Sequence, residues 1–150
     1  MSYTNREIYE NALRLLGETG SDDLCSDYEE RAPYVIASFC AQVIDVDKRI
    51  RLIENMDEVA DFNKLYLDLD ADFPLCDKLL GCASLYLAAI LLSDSDYEKA
   101  DSFYDKYCDA IATLSASVGI SSSSSDSGND GGSDSTIAIC ESIVEKYFFD

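Results

Sequence analysis

The sequence predicts an all-α protein, a small four-helix bundle with a flexible Ser/Gly/Asp linker and an apolar C-terminal arm. Three observations predict it. Apolar residues recur at helical spacing in four separate stretches. Most of these stretches open on a helix-start signal, either a capping sequence or a proline. A run with no apolar residue, Ser121 to Ser135, then separates them from a last apolar segment. With 150 residues and 47% apolar composition, the chain has material for one core and not two. The expected division is a helical bundle domain over 1–118, a linker over 119–136 and a docking arm over 137–150.

The first helix should start at Thr4. Thr4 and Glu7 have capping-box spacing, in which each side chain takes an amide of the other residue. Ile8, Ala12, Leu15 and Leu16 follow on one face, and Gly17 is a natural stop. A second capping box is written Ser26-Asp27-Tyr28-Glu29, followed by Ala32, Val35, Ile36, Phe39, Val43 and Val46. Pro33 either kinks this helix or disturbs only its first turn, and we favour a continuous helix. From Asp47 to Phe73 the pattern weakens: Lys48, Arg49 and Arg51 read as surface charge on a fraying helix end. Leu65, Leu67 and Leu69 alternate with polar residues, as in a short extended segment or strand.

Pro74 should open the third helix, because proline suits the first helical position. From Leu75 to Leu92 this stretch has hardly a polar face, so other helices must surround it. Ser93 to Asp96 turn the chain, and Ser95-Asp96-Tyr97-Glu98 repeats the capping letters of Ser26. Ala100, Phe103, Tyr104, Tyr107, Ile111 and Leu114 mark a fourth helix, antiparallel to the third because the turn is short.

The segment 121–135 cannot bury enough surface to offset its ordering entropy, so its composition reads as a tether. It would reach about 50 Å fully extended and roughly 20 Å as a coil. Beyond it stand Ile137, Ile139, Ile143, Val144, Tyr147, Phe148 and Phe149, which need burial somewhere. They could fold back on their own bundle. We favour docking on another chain at the high effective concentration that a tether gives.

Thirty acidic against eleven basic residues give a net charge of −19, which argues against binding nucleic acid through its phosphates and against adhesion to an anionic membrane. The plainer reading is a solvated acidic surface; the sharper one is a surface that lies beside DNA without sticking to it. The polar start MSYTNREIYE does not read as a secretory signal, and the uncharged run after Leu79 is too short to span a bilayer. None of Cys25, Cys40, Cys76, Cys82, Cys108 and Cys140 forms a C-x-x-C pair, and most lie in apolar helical patterns, which suits reduced, structural thiols. With no histidine the commonest general base is missing, and the glycines form no phosphate-binding pattern. Asp68, Asp70 and Asp72 alternate as cation ligands could, but lack the glycine a calcium loop requires. We therefore expect no catalytic residue, cofactor or metal.

Three stretches carry a family resemblance over roughly residues 4–115. They are Tyr28-Glu29-Glu30-Arg31-Ala32-Pro33-Tyr34, then Phe73-Pro74 leading to Leu85-Tyr86-Leu87-Ala88-Ala89-Ile90-Leu91-Leu92, then Phe103-Tyr104-Asp105-Lys106-Tyr107. In order and character they resemble the head–tail connector, or adaptor, proteins of tailed bacteriophages. The resemblance implies a structural protein of the virion neck, assembled in the bacterial host cytoplasm as a homo-oligomeric, dodecameric ring. Its implied partners are the portal protein and downstream tail or neck proteins, with DNA passing by without specific binding. Residues 137–149 match in position the arm that reaches along the portal in that family; the serine-rich spacer departs from the family pattern. The alternatives are an acidic cytosolic regulator that binds one protein, and a DNA mimic.

Overall fold

Four helices carry the fold: α1 (Asn5–Leu16), α2 (Asp23–Ile53), α3 (Leu80–Leu92) and α4 (Tyr97–Ser117). The structure is a computed structural model and describes residues 2–17 and 23–119. Among these residues there is no strand, and the all-α bundle expected from the sequence is what forms.

The least polar helix sits at the centre. α3 packs against α1, α2 and α4, most extensively against α4. Cys82, Ala83, Ser84, Tyr86, Leu87, Ala88, Ala89, Leu91 and Leu92 are all buried, which accounts for a helix without a polar face. α4 runs antiparallel to it, since Gly81 and Leu85 near the start of α3 border one groove with Leu114 and Ser117 at the end of α4. The rings of Phe39, Tyr86 and Tyr107 join α2, α3 and α4, with Tyr86 and Tyr107 edge to face at 5.2 Å.

α1 begins as its sequence dictates. The Thr4 N–H donates to Glu7 Oε2 at 2.7 Å, and the Glu7 N–H donates to Thr4 Oγ1 at 3.3 Å. Other first-turn donors find acceptors on the long loop, Asn5 N–H on Ala71 O at 3.0 Å and Arg6 N–H on Leu69 O at 2.7 Å. Asn5 Nδ2, fully buried, donates to Asp68 O at 2.8 Å. The segment holding Leu65, Leu67 and Leu69 is thus an irregular stretch of loop laid over the start of α1, with a bend at Leu65, a turn at Leu69, a single bridge between Thr4 and Asp72 and no strand. Leu67 and Leu69 point inward, while Leu65 is 84% exposed. At the other end Gly17 closes α1 at φ 78°, a conformation open to glycine. Leu15 departs from expectation: it is exposed, and Tyr9 and Leu13 complete the buried face instead.

α2 departs more. It starts at Asp23, so the Ser26 to Glu29 sequence lies inside the helix and is not its cap. Pro33 sits well within it, and the helix continues past it. Proline has no N–H to give back to the preceding turn. The Leu67 N–H donates to the Pro33 carbonyl at 3.1 Å, which fixes the loop beside the proline. α3 is also displaced, because Pro74 stays in the loop. A 3₁₀ turn, Asp77–Leu79, leads into α3 at Leu80. At α4 the cap is Asp96, whose carboxylate accepts the Lys99 N–H at 3.1 Å, and not a Ser95 to Glu98 box.

Pro74 stays outside the helix because α2 claims that stretch of loop. Asp47 is fully buried, and its Oδ1 accepts the Cys76 N–H at 2.7 Å. Its Oδ2 accepts Arg51 Nε at 2.8 Å, and Arg51 donates onward to Pro74 O and Asp57 O, both at 3.2 Å. Burial lowers the Arg51 pKa, but the hydrogen bond and charge of Asp47 outweigh it, so the net shift is upward and the guanidinium stays charged. Burial together with a hydrogen bond to Asp47 pushes the Cys76 thiol up to about 12, and burial pushes Cys82 up to about 11. Such thiols are protonated and inert at neutral pH. Cys40, Cys76 and Cys82 are free thiols, while the Cys25 and Cys140 side chains lie outside the described residues.

Removing one partner of a buried, hydrogen-bonded ion pair strands the other. Asp47→Ala should therefore cost about 3–5 kcal/mol of unfolding free energy. Urea denaturation of Asp47→Ala, Arg51→Met and the double variant should show a coupling of about 1–3 kcal/mol between the two sites. Additive losses would mean that the pair does not act as a unit.

Candidate protein-docking surfaces

The side chains that the sequence nominates for docking, Ile137, Ile139, Ile143, Val144, Tyr147, Phe148 and Phe149, lie outside the described residues, as does the linker beyond Gly119. The structure brings two other sets of apolar side chains to the surface, both on or beside α2.

The first set is aromatic. Tyr34 on α2 and Tyr66 on the loop meet edge to face at 5.1 Å, and both are more than half exposed, with Leu65 beside them in sequence. Their geometry is set by the Pro33–Leu67 hydrogen bond, which aligns the two backbones at the neighbouring residues. They border a 310 Å³ cleft shared with Arg6, Glu29, Glu30 and Asp68. Arg6 pairs with Asp70 at 2.8 Å and Glu29 at 3.1 Å. These hydrogen bonds raise the Arg6 pKa, and the guanidinium in turn holds the Asp70 carboxyl below the usual carboxylate value.

The second set is aliphatic. The core ends along α2 at Ile50, yet the helix continues to Ile53, leaving Leu52 at 66%, Ile53 at 53% and Met56 at 43% exposure. Asn55 ends the helix at φ 55°, and the Met56 N–H donates back to Arg51 O at 2.8 Å. That is the hydrogen bond of a Schellman stop, with asparagine where glycine is usual. The turn folds Met56 back beside the last helical residues, over a 550 Å³ cleft lined by Lys48, Arg51, Leu52, Met56, Glu58 and Val59.

The basic cluster does not lie on a fraying end. Arg51 is the half-buried clamp described above, and Arg49 Nε donates to Val118 O at 2.9 Å, tying α2 to the end of α4. Lys48 pairs with Asp61 on the surface, an interaction that raises the lysine and lowers the aspartate. The aspartates that alternate in the loop also have local duties: Asp68 Oδ1 accepts the Asp70 N–H at 2.9 Å, and Asp70 meets Arg6. Among the described residues no group of three or more acidic or cysteine side chains could hold a metal ion. No described helix is long and apolar enough to cross a membrane. Comparison with protein-family models, with curated proteins and with solved structures found no match.

Sequence reasoning missed both surfaces. The signal for the first was Tyr34, which breaks the phase of Ala32, Ile36 and Phe39. The signal for the second was Leu52-Ile53 followed within three residues by Met56, apolar residues crowding a helix end rich in charge.

Two surface aspartates should respond to pH with opposite signs. The Asp70 carboxyl is lowered by Arg6, so its contribution is present above the unfolded pKa and fades as pH falls through the folded one. Asp105 is raised, by burial first and then by Asp101 and Asp109, so it weighs against the fold once ionised. Urea unfolding at pH 7 should find Asp70→Asn slightly less stable than wild type and Asp105→Asn slightly more. Both differences should vanish below the carboxylate range. Equal signs at pH 7 would contradict the assignment.

Proposed function

We propose that this chain is a non-catalytic structural protein of a phage neck, a subunit of a ring that joins portal to tail and lets DNA pass. The observation that carries this reading is the pair of exposed apolar surfaces, different in chemistry, on one rigid helix. Tyr34 and Leu52 lie eighteen positions apart on α2, about 27 Å at 1.5 Å per residue. A subunit with two unlike faces can contact two neighbours head to tail, and such contacts close into rings when the rotation allows. Exposed aromatics held in place are also the residues that dominate binding energy at interfaces.

Further support comes from the sequence. The apolar residues 137–149 follow a linker, as in the arm of the connector family that the chain resembles. A net charge of −19 suits a wall beside moving DNA, because phosphates find few cations to displace their counterions. The ring would then bind the portal on one side and tail or neck proteins on the other, assembled in the host cytoplasm and carried in the virion.

One observation favours a second reading. Asp101, Asp105 and Asp109 repeat at four-residue spacing along α4, a row of negative charge that a DNA mimic could present to a basic groove. Mimicry predicts inhibition of a DNA-binding protein that weakens steeply with salt.

Light scattering and negative-stain electron microscopy of the full-length protein, alone and mixed with portal protein, test the ring. Closed rings under either condition are expected; a monomer under both would overturn the proposal. Tyr34→Ser with Tyr66→Ser should leave unfolding free energy within about 0.5 kcal/mol of wild type while weakening assembly by about 30-fold or more.

A further inference from the structure

We propose that Leu52, Ile53 and Met56 at the end of α2 form the receptor for residues 137–149 of a second copy of this chain. The inference rests on the ring reading above and names the contact that links its subunits. Three observations lead to it.

The first is where the chain leaves the bundle. Arg49 holds the carbonyl of Val118 at 2.9 Å, so the polypeptide departs beside α2 at Arg49. Leu52 is three positions further along the same helix, about 4.5 Å of rise. The tether therefore starts within one helical turn of the aliphatic surface.

The second is length. Residues 120–136 of this Ser/Gly/Asp composition span roughly 23 Å as a coil and at most about 60 Å when extended. The patch of the same copy lies much nearer than that, since Val118 stands one arginine side chain away from α2. A bundle of this size is about 35 Å across, and the corresponding patch on a neighbour lies at that scale. Effective concentration is highest when the root-mean-square length of a tether matches the distance to be spanned, and falls when the tether is much too long. The linker suits the neighbour.

The third is charge. Residues 137–150 carry Glu141, Glu145 and Asp150 against Lys146 alone. The cleft beside Leu52 is lined by Lys48 and Arg51, paired with Asp61 and Asp47 respectively, and by Glu58. The aromatic cleft presents Arg6 against Glu29, Glu30 and Asp68, and Arg6 is already engaged by Glu29 and Asp70. Counting the acids that hold these cations, the aliphatic cleft is the less negative of the two, so an acidic apolar segment is opposed less there than at the aromatic one. Because donor segment and receptor patch differ, each copy gives one and takes one. That is a heterologous contact, the kind that propagates until a ring closes.

A complementation experiment with full-length chains tests this. One variant carries Leu52→Asp and Ile53→Asp; the other carries Tyr147→Ser, Phe148→Ser and Phe149→Ser. Circular dichroism melting of each should match wild type, since the substituted α2 residues lie outside the core. In analytical ultracentrifugation each variant alone should lose self-association by about 100-fold or more. Mixed, they should form a one-to-one heterodimer, because one retains the segment and the other the patch. Absence of that heterodimer would overturn the inference, as would self-association of either variant at wild-type strength. Intramolecular docking, like docking on the portal alone, gives wild-type chains that never self-associate, which also overturns it. Rings of wild-type protein that survive Leu52→Asp with Ile53→Asp would sink this contact while leaving the neck function standing.

Discussion

The Asp47 carboxylate is the constraint on which the rest of the arrangement depends. The long connection 54–76 has no regular secondary structure, and connections of that length in a small domain need anchoring. Asp47 and Arg51 hold its far end by the Cys76 N–H and the Pro74 carbonyl, while α1 and Pro33 hold its middle. A charge pair in this position is costly to desolvate, and it persists because its lone pairs and protons are occupied by backbone groups. Its consequence is positional. With Cys76 pinned to α2, the apolar run that follows can only enter the centre of the bundle, where Leu79 and then α3 are buried.

The scarce cations serve the same end. Arg31 donates to Ile90 O near the end of α3, Lys99 to Leu16 O at the end of α1, Arg49 to Val118 O past the end of α4, and Arg51 to the loop. Helix C-termini expose carbonyls with partial negative charge, so a cation there both fills a hydrogen bond and meets the dipole favourably. In a chain of −19 charge, placing positive groups at helix ends lets the faces stay acidic without leaving those ends unpaired.

What the sequence disclosed follows from the range of each interaction. The Thr4–Glu7 cap, the Gly17 stop, the apolar wrap of α3 and the Ala100-to-Ile111 face of α4 depend on neighbours within one or two turns, and all were legible. The start of α2 and the delayed start of α3 were not. Pro74 carries a valid local signal for a helix start, yet Arg51 takes its carbonyl into the loop from 23 positions away. Arg49 and Arg51 looked like surface charge because nothing local shows that Asp47, four residues before Arg51, faces inward. The docking surfaces were hidden for a related reason. Ile53 follows Ile50 at the proper helical spacing and would be scored as core by any periodic rule, but the bundle ends before it.

That mismatch between helix and bundle bears on function. A helix that stopped with its core at Ile50 would expose little apolar surface at that end. Here the Schellman stop at Asn55 and the Arg51 hydrogen bonds keep the extra turn ordered while Leu52, Ile53 and Met56 stay exposed. Ordering apolar groups in water without burying them gains no stability, so the turn is maintained by polar contacts made elsewhere. An apolar surface held rigid in this way loses little conformational entropy on association, and more of its burial energy then appears as affinity. The same holds at Tyr34 and Tyr66, which are fixed by a backbone bond between Pro33 and Leu67. At both places the bundle supplies the rigidity, and the apolar side chains it holds stay exposed.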